Sequence, residues 1–172
     1  MTVQEFTAKY QGFAKNVQKK TGIDYRFILA QAALESGWGK NAPGNMFFGV
    51  KATKNTPEHQ KQLLTTTEVL NHPNAKFPQI ISITKRSDGK FLYKVKDWFR
   101  KFSSPEESFM YQADFFSKLS RYAKAMAVKH NPYKFAEEIA KAGYATAPDY
   151  AYTLQLIMKR IDPSLPNPTK KK

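Results

Sequence analysis

Apolar residues recur along this chain in two rhythms, one helical and one alternating, and the change between them divides it. Val3, Phe6, Tyr10, Phe13 and Val17 lie three or four positions apart, the spacing of one helix face. Thr2 and Glu5 have the spacing of a capping box. A first helix is therefore predicted to about Lys19, with a turn over 20–23. A second, more apolar helix is predicted from Asp24, a residue type that caps helix N-termini. It runs through Phe27, Ile28, Ala30 and Leu34 to Glu35. Gly37 and Gly39 end it, because glycine enters the left-handed region without steric cost. Residues 41–54 read as a loop carrying Pro43, Gly44 and the apolar run Met46-Phe47-Phe48-Gly49-Val50.

From Leu64 to Phe102 the pattern alternates. Leu64–Leu70 is rich in β-branched residues, and Gln79–Thr84 and Lys90–Val95 flank Ser87-Asp88-Gly89, a hairpin signal. Trp98–Phe102 is read as a further strand. This segment is predicted to be a small β-lobe inserted in a helical protein. Helical spacing then resumes. Ser104-Pro-Glu-Glu107 joins an N-cap, a first-turn proline and a capping glutamate, ahead of the stripe Phe109, Met110, Ala113, Phe116 and Leu119. A short helix is predicted over 121–128, another from Asn131-Pro132 to Gly143, and a last one from Pro148 or Asp149 through Ile161. Residues 1–162 are read as a single domain and 163–172 as a loose basic tail.

With 172 residues, 41% of them hydrophobic, the chain is long enough for a sizeable core. No apolar run approaches the roughly 18 residues of a membrane span. The N-terminal residues lack the charged-then-apolar layout of a secretory signal. There is no cysteine, which removes disulfides, thiolate metal sites and cysteine nucleophiles. The three histidines, His59, His72 and His130, have no ligand spacing, so neither a metal site nor a cofactor is expected. Net charge is +14, from 28 basic and 14 acidic residues. Such a bias favours polyanionic partners: nucleic acid, anionic membrane or anionic cell wall. The lysines are spread along the chain rather than gathered in one element, which argues against nucleic acid.

The candidate chemistry centres on Glu35. A carboxylate in the last turn meets the negative end of the helix dipole, and flanking Leu34 and Trp38 are expected to desolvate it. Both effects raise a carboxyl pKa, as a general acid at neutral pH requires. The bland alternative is a solvated helix-end residue. Glycosidic chemistry usually needs two carboxyl groups, and Glu68, in Thr65-Thr-Thr-Glu68 on the β-lobe, is the best second candidate. Asp97 reads as a cap or solvated residue. Tyr144 and Tyr150, in Ala142-Gly-Tyr-Ala-Thr-Ala-Pro-Asp-Tyr150, sit at a helix junction where ring faces suit a sugar and a phenol can orient water.

In chain order, Ala30-Gln-Ala-Ala-Leu-Glu-Ser-Gly-Trp-Gly-Lys40, Phe48-Gly-Val-Lys-Ala52, Thr65-Thr-Thr-Glu68, Phe99-Arg-Lys-Phe-Ser-Ser104 and Ala142-Gly-Tyr-Ala-Thr146 with Tyr150-Ala151 resemble the bacterial β-N-acetylglucosaminidases of glycoside hydrolase family 73. That family includes autolysins, phage lysins and the hydrolase domain of the flagellar rod-assembly protein. The resemblance covers about Phe6 to Ile161. It implies an α+β fold, mostly helical and lysozyme-like, with a small antiparallel β-lobe. It implies Glu35 as general acid, Glu68 as second carboxylate and Tyr144 as active-site tyrosine, with Trp38, Asn45, Phe48 and Tyr150 on the substrate. Two departures stand out: Met46 occupies the place of a usual asparagine, and Ala147 that of the aspartate before Pro148.

The expected activity is cleavage of the β-1,4 bond between N-acetylglucosamine and N-acetylmuramic acid in peptidoglycan, by a monomer acting in the bacterial cell wall or periplasm. Its partners are glycan strands and anionic wall polymers, with no nucleic acid and no membrane span. The alternatives are a muramidase or lytic transglycosylase on the same scaffold, or a non-catalytic wall-binding module. Retention of Glu35 and Glu68 argues against the last.

Overall fold

Thr2 caps the first helix as its spacing to Glu5 predicts: its hydroxyl accepts from the Glu5 N–H, and the Glu5 carboxylate accepts from the Thr2 N–H. In the computed structural model, which describes residues 1–171, the chain forms two compact units. One is Met1–Phe48 with Ser103–Lys172, and the other is Gly49–Phe102. The first unit carries helices α1 (Val3–Thr21), α2 (Tyr25–Glu35), α3 (Pro105–Lys118), α4 (Ala123–Met126), α5 (Pro132–Lys141) and α6 (Tyr150–Ile161). The second carries strands β1 (Lys61–Leu70), β2 (Gln79–Lys85) and β3 (Phe91–Arg100). The fold is α+β, mostly helical with a small antiparallel sheet, as the pattern predicts.

In the helical unit α2 is the central element, packed against α1, α5 and α6. Seven of its eleven residues are buried, so its hydrophobic face is nearly all round, as expected of a core helix. Phe27 lies edge-on to Phe116 at 6.1 Å and to Phe135 at 4.6 Å. A second cluster joins Tyr10, Phe47 and Phe109, with Tyr10 5.0 Å from Phe47 and Phe47 5.1 Å from Phe109. Edge-to-face contacts of this kind add to the area that each ring buries. Asp24 caps α2 through the Arg26 N–H at 2.9 Å. The Arg26 guanidinium pairs with that same Asp24 at 2.7 Å and with Asp162, which follows α6, at 2.8 Å. These two carboxylates, Asp24 first, hold Arg26 well above the usual arginine range. The start of α2 is thereby tied to the end of α6.

Asn131 caps α5 through the Lys134 N–H, and Ser104 caps α3 through the Glu107 N–H. The Glu107 carboxylate does not return to Ser104 but to the N–H and hydroxyl of Ser103. Residues after α6 are fastened to the helices. The Tyr133 hydroxyl donates to the Pro166 carbonyl at 2.7 Å, and the Lys171 amine pairs with Glu137 at 2.9 Å. Lys172 lies outside the described residues.

In the other unit the strand order is β1-β3-β2, all antiparallel. The hairpin predicted at Ser87-Asp88-Gly89 joins β2 to β3, with Gly89 left-handed at φ 82°. The separate strand expected over Trp98–Phe102 is a correction. β3 runs unbroken from Phe91 to Arg100 and pairs with β1 from Lys61↔Arg100 to Leu70↔Phe91. The Lys96-Asp97 pair reads as a break in sequence. Asp97 stays in the ladder opposite Leu64, and its carboxylate accepts from the Trp98 N–H at 2.8 Å and pairs with the Lys51 amine at 3.2 Å. Tyr93 is fully buried; its hydroxyl donates to the His72 carbonyl and accepts from the Ala75 N–H.

Phe27 carries the first test. Phe27→Ala should cost about 3–5 kcal/mol, because a buried ring is lost and the rigid cluster cannot collapse into the space. Urea unfolding should show a lower midpoint with an unchanged slope. A loss within about 0.5 kcal/mol, the range of surface substitutions, would show that this cluster does not hold α2.

Candidate active site

Helix α2 ends at Glu35 because the chain then turns left-handed three times in succession: Gly37 at φ 57°, Trp38 at 58° and Gly39 at 80°. The two glycines do this without cost. Trp38 does not, since a bulky side chain is disfavoured there. Ser36, fully buried, braces the turn. Its hydroxyl donates to the Ala32 carbonyl at 2.5 Å and accepts from the Gly39 N–H at 2.9 Å. The turn carries the Trp38 ring onto Phe6, edge-on at 5.5 Å, with the Arg160 guanidinium 5.4 Å from the ring centre. The desolvation of Glu35 between Leu34 and Trp38 is therefore a correction: Glu35 is exposed.

What holds Glu35 is a phenol. The Tyr150 hydroxyl, at the first residue of α6, donates to Glu35 Oε1 at 3.0 Å. Behind it Gln31 Nε2, one turn earlier on α2, donates to the Tyr150 oxygen at 3.1 Å. Gln112 Nε2, on α3, donates to Gln31 Oε1 at 3.1 Å and to the Tyr144 hydroxyl at 2.9 Å. The two tyrosine rings stack with centres 5.7 Å apart and planes 29° from parallel. Glu35, Tyr150 and Tyr144, all candidates from the sequence, thus belong to one hydrogen-bonded group. Gln31 and Gln112 complete it and were missed. The signal for them was present: each is an amide in an otherwise apolar helix stripe, Gln31 among alanines and leucines and Gln112 between Phe109 and Phe116.

Burial first, and the nearby Glu35 carboxylate second, push the Tyr144 phenol up to about 12. The same two causes push Tyr150 up as well. Both phenols therefore keep their protons at neutral pH and act as hydrogen-bond donors or acceptors, not as bases.

The other candidates have other surroundings. Phe48 is buried, 6.4 Å from Phe109, and lines a void of about 10 Å³ beside Gln31 and Gln112. Asn45 is half-buried and left-handed at φ 57°, closing a short turn with Pro43 and Gly44. Glu68 lies on β1 within the sheet unit, where the Lys51 amine binds its Oε1 at 2.5 Å and Asp97 at 3.2 Å. Glu68 first, with Asp97 behind it, holds the Lys51 amine above its ordinary value. Asp97, read from sequence as a cap or solvated residue, is thus part of an acidic pair around one lysine. A cavity of about 370 Å³, lined by Glu137, Lys141, Pro148, Tyr152, Thr169 and Lys171 among others, includes none of the Glu35 group. Among the described residues no group of three or more His, Asp or Glu side chains could hold a metal ion. No described helix is long and apolar enough to cross a membrane.

The phenols give a pH test with a definite sign. A phenol whose folded pKa lies above its unfolded value keeps a proton that the unfolded chain releases, so stability falls as pH rises above about 10. For Tyr144 that loss continues to about 12. Chemical-denaturation midpoints measured from pH 8 to pH 11 should decline, and Tyr144→Phe should flatten the decline. An equal slope in the variant would mean that Tyr144 titrates as an ordinary exposed tyrosine.

Residues 11–163 match the family model Glucosaminidase, described as mannosyl-glycoprotein endo-beta-N-acetylglucosaminidase. The chain is 29% identical over 167 residues to the peptidoglycan hydrolase FlgJ of Pseudomonas aeruginosa, covering 93% of this chain and 37% of the relative. It is 31% identical over 163 residues to the FlgJ of Vibrio cholerae, covering 91% of this chain and 43% of that protein. It therefore spans less than half the length of these curated relatives. Among solved structures, a C-terminally truncated glycoside hydrolase domain of Salmonella typhimurium FlgJ superposes with a TM-score of 0.70 at 29% identity, over 95% of this chain and all of that one. The family model spans nearly the whole chain and includes every residue of the Glu35 group, so the chain belongs to the glucosaminidases of glycoside hydrolase family 73.

Proposed function

We propose that this chain hydrolyses peptidoglycan, cleaving the β-1,4 bond between N-acetylglucosamine and N-acetylmuramic acid with Glu35 as general acid. The observation that carries the proposal is the Tyr150 phenol seated on Glu35 at the exposed end of a core helix. The relatives named peptidoglycan hydrolase support the substrate, since the likeness covers over nine-tenths of this chain.

In this mechanism Tyr150 holds Glu35 Oε1, and Oε2 carries the proton to the glycosidic oxygen. As the bond breaks, positive charge develops on the sugar ring, and the ionised Glu35 is stabilised by the phenol proton that it accepts. Tyr144 keeps its own proton and so orients a water, or the substrate's acetamido group, rather than deprotonating it. Glu68 is the family's second carboxylate by resemblance. Glu68 accepts from the Lys51 ammonium and takes the part of the second carboxylate, while Glu35, which accepts from a neutral phenol, takes the part of the acid. The site of action is the bacterial cell wall or periplasm.

Mass spectrometry of muropeptides released from purified peptidoglycan tests the bond. Reducing N-acetylglucosamine ends are expected. Reducing muramic acid would identify a muramidase, and anhydro-muramic acid a transglycosylase. Glu35→Gln keeps the side chain's shape and should slow release about 10²–10⁴-fold. Near-normal release by the folded variant would remove Glu35 from the mechanism. The net charge of +14 should also drive adsorption to anionic wall polymers. Sedimentation with intact walls should weaken steeply towards 1 M salt, where the Debye length is about 3 Å. Salt-independent binding would overturn the electrostatic account.

A further inference from the structure

Gln31 and Gln112 take no part in the proposed steps, yet they are only 1% and 7% exposed and their side-chain amides hydrogen-bond within the Glu35 group. A side-chain amide has a donating end and an accepting end, whereas a phenol has one proton to give. Tyr150 accepts from Gln31 Nε2, so its single proton goes to Glu35. Tyr144 accepts from Gln112 Nε2, so its proton is left for an acceptor other than that amide.

The direction of this chain is set at one place. If both amides were turned over, the Gln31 carbonyl would take the Tyr150 proton and Glu35 would lose its donor. Tyr144 would then spend its proton on Gln112. If only one were turned, two carbonyls or two NH₂ groups would face each other across the 3.1 Å contact. Gln112 meets both branches with the two protons of a single nitrogen, so its orientation fixes both.

Resting on the function proposed above, we infer that Gln112, acting in part through Gln31, is a positioning residue. It aims the Tyr150 proton at Glu35 and leaves the Tyr144 proton for the substrate or its attacking water. Neither glutamine touches the reacting atoms.

The test uses Gln112→Met and Gln31→Met, which keep the length and remove the amide. Each should lower kcat on purified peptidoglycan about tenfold, the equivalent of one hydrogen bond to a charged group, with KM within about twofold. Gln31 reaches Glu35 through Tyr150, so Gln31→Met added to Tyr150→Phe should cost less than the sum of the two single changes, a non-additivity that general loosening of the fold would not produce. Full additivity, or a change confined to KM, would overturn the inference. A second measurement is independent of activity: NMR of ¹³C-labelled tyrosine, which reports exchange of the phenol proton. The Tyr150 hydroxyl should exchange slowly in the wild type and faster in either methionine variant. Unchanged exchange would overturn the inference even if activity fell. Changed exchange in a protein that releases no muropeptides would uphold the proton direction and sink the function on which the catalytic role rests. Gln31→Met reports on the same chain of bonds should Gln112→Met not fold.

Discussion

A buried amide must find partners for both of its ends, and that requirement organises the helical unit. Gln31 is buried on a helix whose other inward residues are apolar. Left unpaired, its polar atoms would cost about 1–3 kcal/mol. They are satisfied from two other helices, by Tyr150 at the start of α6 and Gln112 within α3. The opposite end of the same helix pair is fixed by Arg26, between Asp24 and Asp162. Helices α2 and α6 have 11 and 12 residues, so at about 1.5 Å per residue they are nearly equal in length. They run antiparallel, pinned by an ion pair at one end and by amides and a phenol at the other. A slip of one residue along either helix would break both attachments. The placement of Tyr150 on Glu35 is thus a consequence of packing as much as of local chemistry.

The turn after Glu35 follows the same logic. Helix α2 stops at Glu35. Three left-handed residues end it abruptly, and the cost at Trp38 is offset by the ring's contacts with Phe6 and Arg160. Glu35 is left at an exposed end whose backbone is braced by the fully buried Ser36. The glutamate is therefore accessible but not loose.

Periodicity and capping made most of the fold legible. Thr2, Asp24, Ser104 and Asn131 all cap where their spacing indicates, because a cap is a local event within four residues. The β hairpin was legible for the same reason. The extent of β3 was not. Lys96-Asp97 looks like a strand end, and only the register with β1 shows that it continues. Glu35, Tyr144 and Tyr150 were legible as candidates from motif and resemblance. The amides joining them were not, since Gln31 and Gln112 are 81 residues apart and no local pattern says that two glutamines will meet. Trp38 lies three residues after Glu35 in sequence, and the left-handed turn carries its ring onto Phe6.

The two carboxylates illustrate how a partner sets a role. Glu68 accepts from an ammonium that it shares with Asp97. Protonating it would leave the Lys51 charge with one counterion in place of two. Glu35 accepts from a phenol that carries no charge. Under the proposed mechanism it can take up or deliver a proton without breaking an ion pair, and burial keeps the phenol from ionising and competing for that proton. Two carboxyl groups in different surroundings are the usual means by which one protein obtains both an acid and an anion. Under the proposed mechanism the two carboxylates differ in what each accepts from, a neutral donor at Glu35 and a cation at Glu68.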